Sequence, residues 1–289
     1  MDHIEKEVSG TKITCKGCGA YLKYKPGTRH LSCDYCGFEN EIAVAEKMIE
    51  ELDYLAILNH ESSQPTLSAQ FIKCESCKAI STLSSNLSSA FCPYCANPLI
   101  IGNLYHENII QPKSILPFKL DQHRAKDEFT SWIKKLWFAP NNLKNSLSLE
   151  NFKGIYIPYW TFDMDTFSEY TGERGDYYYV TESYTTTEEG KQVTKTREVQ
   201  KTRWHDVSGD VQVAFDDLLI IAINSVPQKE AGKLEPWDME NLVPFDESYL
   251  SGFITEKYQV DLKEGFEIAK EMAAEEIENA INNDIGGDQ

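Results

Sequence analysis

The 289-residue chain is expected to adopt an α+β fold, with two four-cysteine modules at the N-terminal end followed by a mainly antiparallel β domain with flanking helices. Three observations lead there. All eight cysteines fall in Cys-x-x-Cys pairs, and the pairs recur as a duplicated unit. Apolar residues spaced by three and four mark helices over 41–59, 122–138 and 262–283. Between the last two, runs rich in Ile, Val, Thr, Tyr, Trp and Phe are bounded by turn residues, the composition of strands.

The pairs are Cys15/Cys18, Cys33/Cys36, Cys74/Cys77 and Cys92/Cys95. Fourteen residues separate the half-sites of each unit, and the second unit repeats the first at an offset of 59. Two intervening residues let the backbone turn tightly enough to aim both sulfurs at one metal about 2.3 Å away. Gly17, Gly19 and Gly37 ease the turns and free amide N–H groups to face sulfur, while Pro93 stiffens the last one. Tyr21–Tyr24 and His30–Ser32 read as the strands of a short hairpin between the first two pairs. The pattern is that of two zinc ribbons, each holding one Zn²⁺ through four thiolates. A disulfide framework needs an oxidising compartment, and nothing in the chain directs secretion. A thioredoxin-type site uses one such pair at a βα junction, not four in duplicate. Iron fits the same tetrahedral four-sulfur cage. Four thiolates leave no open coordination position, so the two ions are expected to be structural. Each contributes on the order of 10 kcal/mol of apparent folding free energy.

The modules set the domain plan: ribbon 1 over 1–40, a helical connector over 41–68, ribbon 2 over 69–105, and an acidic α+β domain over 106–289. The connector helix carries Ile42, Ala45, Ile49, Leu52 and Ala56 and breaks in a polar stretch with Pro65. The hairpin of ribbon 2 is rich in serine (Ser81, Ser84, Ser85, Ser88, Ser89). In the last domain, Asp121 is placed to cap a helix that shows Ala125, Phe129, Trp132, Ile133 and Leu136 on one face, closed by Pro140. Strands follow over 154–162 and 167–170, then a long hairpin, 176–187 with 191–204, around Glu188-Glu189-Gly190, then a strand over 211–223. Asp261 and Glu264 match a capping box for the final helix, and Gly286-Gly287 stop it. The chain ends just beyond, as either a complete or a truncated domain would.

Charge and hydropathy narrow the function classes. The 28 Lys and Arg against 46 Asp and Glu give a formal charge of −18, a poor overall match to a nucleic-acid backbone. The region 106–289 alone carries 19 basic and 34 acidic residues. The longest apolar run, Leu218 to Ile223, is far below the ~18 residues of a membrane span, and the first residues contain no secretory h-region. A cytoplasmic protein is expected, with membrane association at most peripheral and through partners.

Further motifs follow the cysteines: Trp137-Phe138-Ala139-Pro140, Gly154-x-Tyr156-x-Pro158-Tyr159-Trp160-x-Phe162-Asp163, Tyr170-Thr171-Gly172-x-Arg174-Gly175, Val207-Ser208-Gly209, Phe215-Asp216-Asp217 and Tyr249-Leu250-Ser251-Gly252-Phe253. Together with the ribbons these resemble a bacterial family of TFIIB-type zinc-ribbon proteins, often labelled replication restart helicase PriA-like or primosomal protein N′. The resemblance spans nearly the whole chain. It implies a chain that continues past Asp288 in other members, and a scaffolding role in membrane-stress gene clusters with SPFH-type and phage-shock-type proteins. The motor implied by the label is missing. A phosphate-binding loop needs Gly-x-x-x-x-Gly-Lys-Ser/Thr, and the only Gly-Lys pairs, Gly190-Lys191 and Gly232-Lys233, lead into Gln192 and Leu234.

Two other features are candidates. Lys191, Lys195, Arg197, Lys201 and Arg203 all occupy odd positions, so a strand points them to one face, interrupted by Val193 and Val199. That stripe, about 40 Å long at 3.3 Å per residue, reads as contact with an anionic partner or as a charged face that blocks edge-to-edge aggregation. Tyr177, Tyr178, Tyr179 and Tyr184 lie in the partner strand. Asp163 with Asp165, and Asp216 with Asp217, offer carboxylates for a divalent cation, without any accompanying phosphate-binding element. The six histidines are dispersed, and no catalytic constellation appears. The expectation is a non-enzymatic interaction or scaffold protein that engages a protein partner. The alternative is a DNA- or RNA-associated accessory protein of replication or transcription.

Overall fold

A computed structural model describes residues 13–43, 49, 51–59, 66–82, 90–99, 104–136 and 152–288. Ala45, the serines 84–89 and the 137–140 motif lie outside them. The chain divides into two compact units, Met1–Pro158 with Ile221–Val260, and Tyr159–Ile220 with Asp261–Gln289. Both cysteine modules lie in the first unit, and region 106–289 contributes to both units. The architecture is mixed helix and strand, with mostly antiparallel sheets.

In the first unit, β1 (Lys23–Lys25), β2 (His30–Ser32) and β3 (Glu39–Glu41) form an antiparallel sheet, Tyr24 facing Leu31 and Leu31 facing Asn40. Of the expected helix over 41–59, the described residues include α1 (Tyr54–Asn59), while 44–48 and 50 lie outside them. Residues 41–43 are not helical: Ile42 is buried, and its N–H bonds to the Arg29 carbonyl at 2.8 Å beside the sheet. The second module is built on β4 (Thr66–Lys73), flanked by β5 (Ile80–Thr82) and β8 (Leu104–Ile110), with the short pair β6 (Ala90–Phe91) and β7 (Pro98–Leu99). Its core is Ile72, Cys74, Cys92 and Leu99.

The rest of the unit is a body of short strands: β9 (Ser114–Ile115) pairs with Val243–Pro244, and β10 (Ile155–Tyr156) runs parallel to Ile254–Thr255. Helix α2 (Gln122–Lys135) starts where expected, with the Asp121 carboxylate accepting from the Arg124 N–H, and it buries Ile133. Ring packing joins the first module to this body. Tyr24 meets Tyr249 edge-on at 5.1 Å, while Phe118 stacks on Phe253 at 4.6 Å and meets Tyr156 at 4.8 Å. Such pairs each add about 0.5–1.5 kcal/mol beyond area burial.

In the second unit the separately expected strands are one ribbon, β11 (Tyr159–Glu188) with β12 (Lys191–Ile221), about 100 Å long at 3.3 Å per residue. Thr166 bonds to the Val213 carbonyl at 2.7 Å, and Glu189-Gly190 make a two-residue turn with φ of 51° and 79°, the handedness that matches strand twist. The gap between the expected strands 167–170 and 176–187 is itself strand. Helix α3 (Leu262–Ile285) is capped by Asp261, whose carboxylate accepts from the Glu264 N–H at 2.8 Å, and ends at Gly286. It packs along β11 with Phe266 against Phe162 and Gly265 beside Trp160, and buries Ala269 and Ala273. Asp288 extends the contact, its N–H donating to the Gly175 carbonyl at 2.8 Å and its carboxylate accepting from the Tyr177 N–H at 2.7 Å.

Gly154 is a steric requirement of the aromatic cluster, because a Cβ there would lie 2.4 Å from the Phe253 ring and 3.2 Å from Phe118. Gly154→Ala is therefore expected to cost about 1–3 kcal/mol in chemical denaturation, the usual cost of overpacking.

Candidate metal centres

Each Cys-x-x-Cys turn is held by the same two backbone hydrogen bonds. In the first, the Cys15 N–H bonds to the Ala20 carbonyl at 2.7 Å, and the Gly19 N–H to the Cys15 carbonyl at 2.9 Å. The pairs at Cys33, Cys74 and Cys92 repeat this at 2.8–3.0 Å. The turn closes only if the residue after the second cysteine is left-handed, and the four φ values are 76° at Gly19, 70° at Gly37, 64° at Lys78 and 57° at Ala96. The first module thus uses glycine, whereas the second bears the cost of a side chain in this region.

These turns bring Cys15, Cys18, Cys33 and Cys36 together, and likewise Cys74, Cys77, Cys92 and Cys95, all sulfurs of a group within 4.8 Å of one another. Among the described residues, these are the groups of three or more Cys, His, Asp or Glu able to hold a metal ion. No cysteine is disulfide-bonded. The closest sulfurs are 3.5 Å apart for Cys15–Cys36, Cys18–Cys33 and Cys77–Cys92, and 3.6 Å for Cys74–Cys95. A tetrahedron with ~2.3 Å metal–sulfur bonds has edges of roughly 3.8 Å, so the groups fit a four-thiolate ion with small adjustment. The Gly17 N–H points at the Cys15 sulfur at 3.3 Å, a contact that favours a thiolate.

The proton chemistry shows why a cation suits these groups. Backbone N–H groups of Cys36 and Tyr35 pull the Cys33 thiol down to about 7, and that of Asn97 pulls Cys95 down to about 6. Their neighbours resist. The Phe38 N–H favours a Cys36 thiolate, yet the adjoining Cys15 and Cys18 outweigh it and push Cys36 up to about 12. Burial foremost raises Cys77 to about 12. In each group one thiol is thus lowered while another is raised by burial or by adjoining thiols, and a positive ion at the centre would favour the thiolate form of all of them.

Cys15 and Cys33 belong to the first core, beside Leu22, Tyr24, Leu31 and Tyr249, and Cys74 and Cys92 to the second. Both modules are bonded to one stretch of the body. The Tyr24 N–H donates to the Ser251 carbonyl at 2.9 Å, and the Ser251 hydroxyl to the Leu22 carbonyl at 2.7 Å. A few residues on, the Lys257 N–H donates to the Ile80 carbonyl at 3.0 Å and the Thr255 N–H to the Thr82 hydroxyl at 3.0 Å. Glu256 is 2% exposed and is the acceptor of the Tyr94 hydroxyl, of Ser225 at 2.6 Å and of Gln259 at 2.9 Å; burial pushes its carboxyl up. Nothing in its local sequence marks Glu256, since its partners lie up to 162 residues away.

The other expected site residues are placed as follows. Lys195 pairs with Glu188, Arg197 with Glu182 at 3.5 Å and Lys201 with Glu182 at 3.1 Å, while Arg197 and Arg203 lie over the Tyr184 and Tyr178 rings. Lys201 first, then Arg197, holds the Glu182 carboxyl low. Lys191 begins β12 at the turn. Counting outward from Glu189-Gly190 sets Glu188 opposite Lys191 and Glu182 opposite Arg197, so the acids on the stripe's own face were legible in the chain. The Asp163 carboxylate accepts from the Asp217 N–H at 2.8 Å, where Asp217 has a φ of 53°. Asp163 thus pins an irregular point of the ribbon, and burial, then Asp163 and Asp216, raise the Asp217 carboxyl.

Fold and geometry together define a protein with two preformed four-thiol groups able to hold metal structurally. The chain is 25% identical over 186 residues to a Bacillus subtilis (strain 168) protein designated uncharacterized protein YdjG, an alignment covering 62% of this chain and 49% of that one. The match thus spans about half the length of this curated relative. No family model matches the chain, and no solved structure matches it. Among the described residues, no helix is long and apolar enough to cross a membrane.

The left-handed positions yield a prediction. A Cβ added at Gly19 would meet nothing within 4 Å, so the cost of a side chain there is conformational alone. Gly19→Ala is expected to destabilise the metal-loaded protein by about 1 kcal/mol in thermal denaturation, and Ala96→Gly to stabilise it by about 0.5–1 kcal/mol.

Proposed function

We propose that the chain is a zinc-clasped scaffold protein whose two four-cysteine modules are TFIIB-type zinc ribbons, each bound to one structural Zn²⁺, and whose task is to engage a protein partner. The observation that carries this reading is the placement of the thiols. Cys15, Cys33, Cys74 and Cys92 are core residues of the modules, so an ion at each group would staple a core and not face a substrate. A complete set of four thiolates offers no open coordination position for water or substrate. The duplicated cysteine spacing supports the ribbon assignment, and the absence of a phosphate-binding loop in the sequence separates the chain from the motor activity of the PriA-like label.

Nucleic acid is the weaker partner on this reading, because three of the five stripe cations are paired with acids of the neighbouring strand. Exposed pairs of this kind contribute little stability singly, but together they lower the net charge available to phosphates.

Elemental analysis of the purified chain is expected to return two zinc ions per polypeptide. Removing them with a chelator is expected to lower the melting temperature, since the binding free energy of each ion is folding free energy. No bound metal, or melting unchanged by chelation, overturns the zinc assignment; hydrolysis of a nucleotide, phosphoester or peptide overturns the scaffold assignment. Fluorescence anisotropy with single- and double-stranded DNA at low salt is expected to detect no salt-sensitive binding, and a steep salt dependence would restore the nucleic-acid reading.

A further inference from the structure

We infer that the two metal centres are unequal, the second being locked by a Tyr94–Glu256 clasp that has no counterpart at Tyr35 of the first, so that the first exchanges its ion much faster. The inference rests on the zinc reading above and concerns how the two ions are held. The offset of 59 places Tyr35 and Tyr94 at the same position of the duplicated unit, between the two cysteines of the second turn. Their surroundings differ sharply. Tyr35 is 85% exposed, whereas the Tyr94 hydroxyl donates to the buried Glu256 carboxylate. The other carboxylate oxygen takes the Ser225 hydroxyl at 2.6 Å and the Gln259 amide at 2.9 Å. The Glu256 backbone is fixed as well, with its N–H on the Tyr156 carbonyl at 3.0 Å and a β-bridge to Ser81 of the second module.

Cysteine exposure follows the same division at the first pair of each centre: Cys18 is exposed, while its counterpart Cys77 is only partly so. For a chelator to remove a zinc ion, it must reach the metal while a cysteine swings away. The dication then passes to the chelator, and the freed thiolates stay charged or take protons from water. In the second centre, the turn bearing Cys92 and Cys95 cannot swing without parting Tyr94 from Glu256, which leaves a buried carboxylate short of a donor. In the first, the corresponding turn carries the exposed Lys23–Asp34 ion pair at 2.6 Å, which water replaces at little cost. Tyr94 and Glu256 are thus positioning residues for the second ion, acting on its ligands from the next shell outward.

The test is zinc transfer from the two-zinc protein to excess 4-(2-pyridylazo)resorcinol, followed by absorbance after the metal count is established. Two phases of one ion each are expected, separated by at least about tenfold in rate. Tyr94→Phe is expected to accelerate the slow phase by about 10–100-fold and leave the fast one alone, while Tyr35→Phe, the matched control, changes neither. Cys36→Ser is expected to remove the fast-phase ion. Should Tyr94→Phe lose its native circular dichroism, Glu256→Gln, of equal volume but with one acceptor oxygen for Ser225 and Gln259 on one side and Tyr94 on the other, is expected to give the same selective acceleration in a folded protein. A single common rate for both ions, or a slow phase indifferent to both substitutions, overturns the inference. A metal count below two sinks the zinc reading itself.

Discussion

Four cysteine sulfurs lie within 4.8 Å of one another in each group, and four thiolates so close are favourable only around a cation. This constraint organises the N-terminal half. The turns that aim the sulfurs need one left-handed residue each, and the same turns bury one cysteine of each pair in a core. The chain between the pairs is too short to build a core by itself, so the sheets β1–β3 and β5–β4–β8 draw on the thiols as core residues. Loss of the cation would leave those cores with crowded polar sulfur at their centres.

One stretch of the body meets both cysteine modules. Residues 249–257 meet the first module through Tyr249, Ser251 and Phe253 and the second through Thr255, Glu256 and Lys257. The aromatic cluster of Phe118, Tyr156 and Phe253 then sets the path of β10, and Gly154 makes room for it. The motifs around Gly154 and Tyr249 thus have a shared physical cause: they are two sides of the surface on which the cysteine modules rest.

The metal ligands, both helix caps and the turn at Glu189-Gly190 were legible in the chain because each is a local feature with a local cause. What escaped was non-local. The connector helix is expected to begin at 41, but Ile42 is buried in the core of the first module, a contact that local periodicity does not foretell. The ribbon β11–β12 is expected as separate strands over 154–162, 167–170, 176–187, 191–204 and 211–223, whereas β11 and β12 each run unbroken, with Gly209 beneath the Tyr170 ring. The second turn of each module is chemically similar in sequence, and nothing in either foretells that a glutamate far along the chain engages only one.

That last asymmetry separates what duplication preserves from what it leaves free. The repeat keeps the turn, its hydrogen bonds and its sulfurs, because each is needed to bring four thiols to one point. The residue between the cysteines is not so required, and a tyrosine there is free to take a role from its surroundings. On the second module the surroundings are a buried carboxylate with three donors, and the tyrosine becomes part of the interior. On the first module Tyr35 stands in solvent. The difference therefore originates in the body, at Glu256, and not in the modules, so changing that one side chain should make two unlike centres alike.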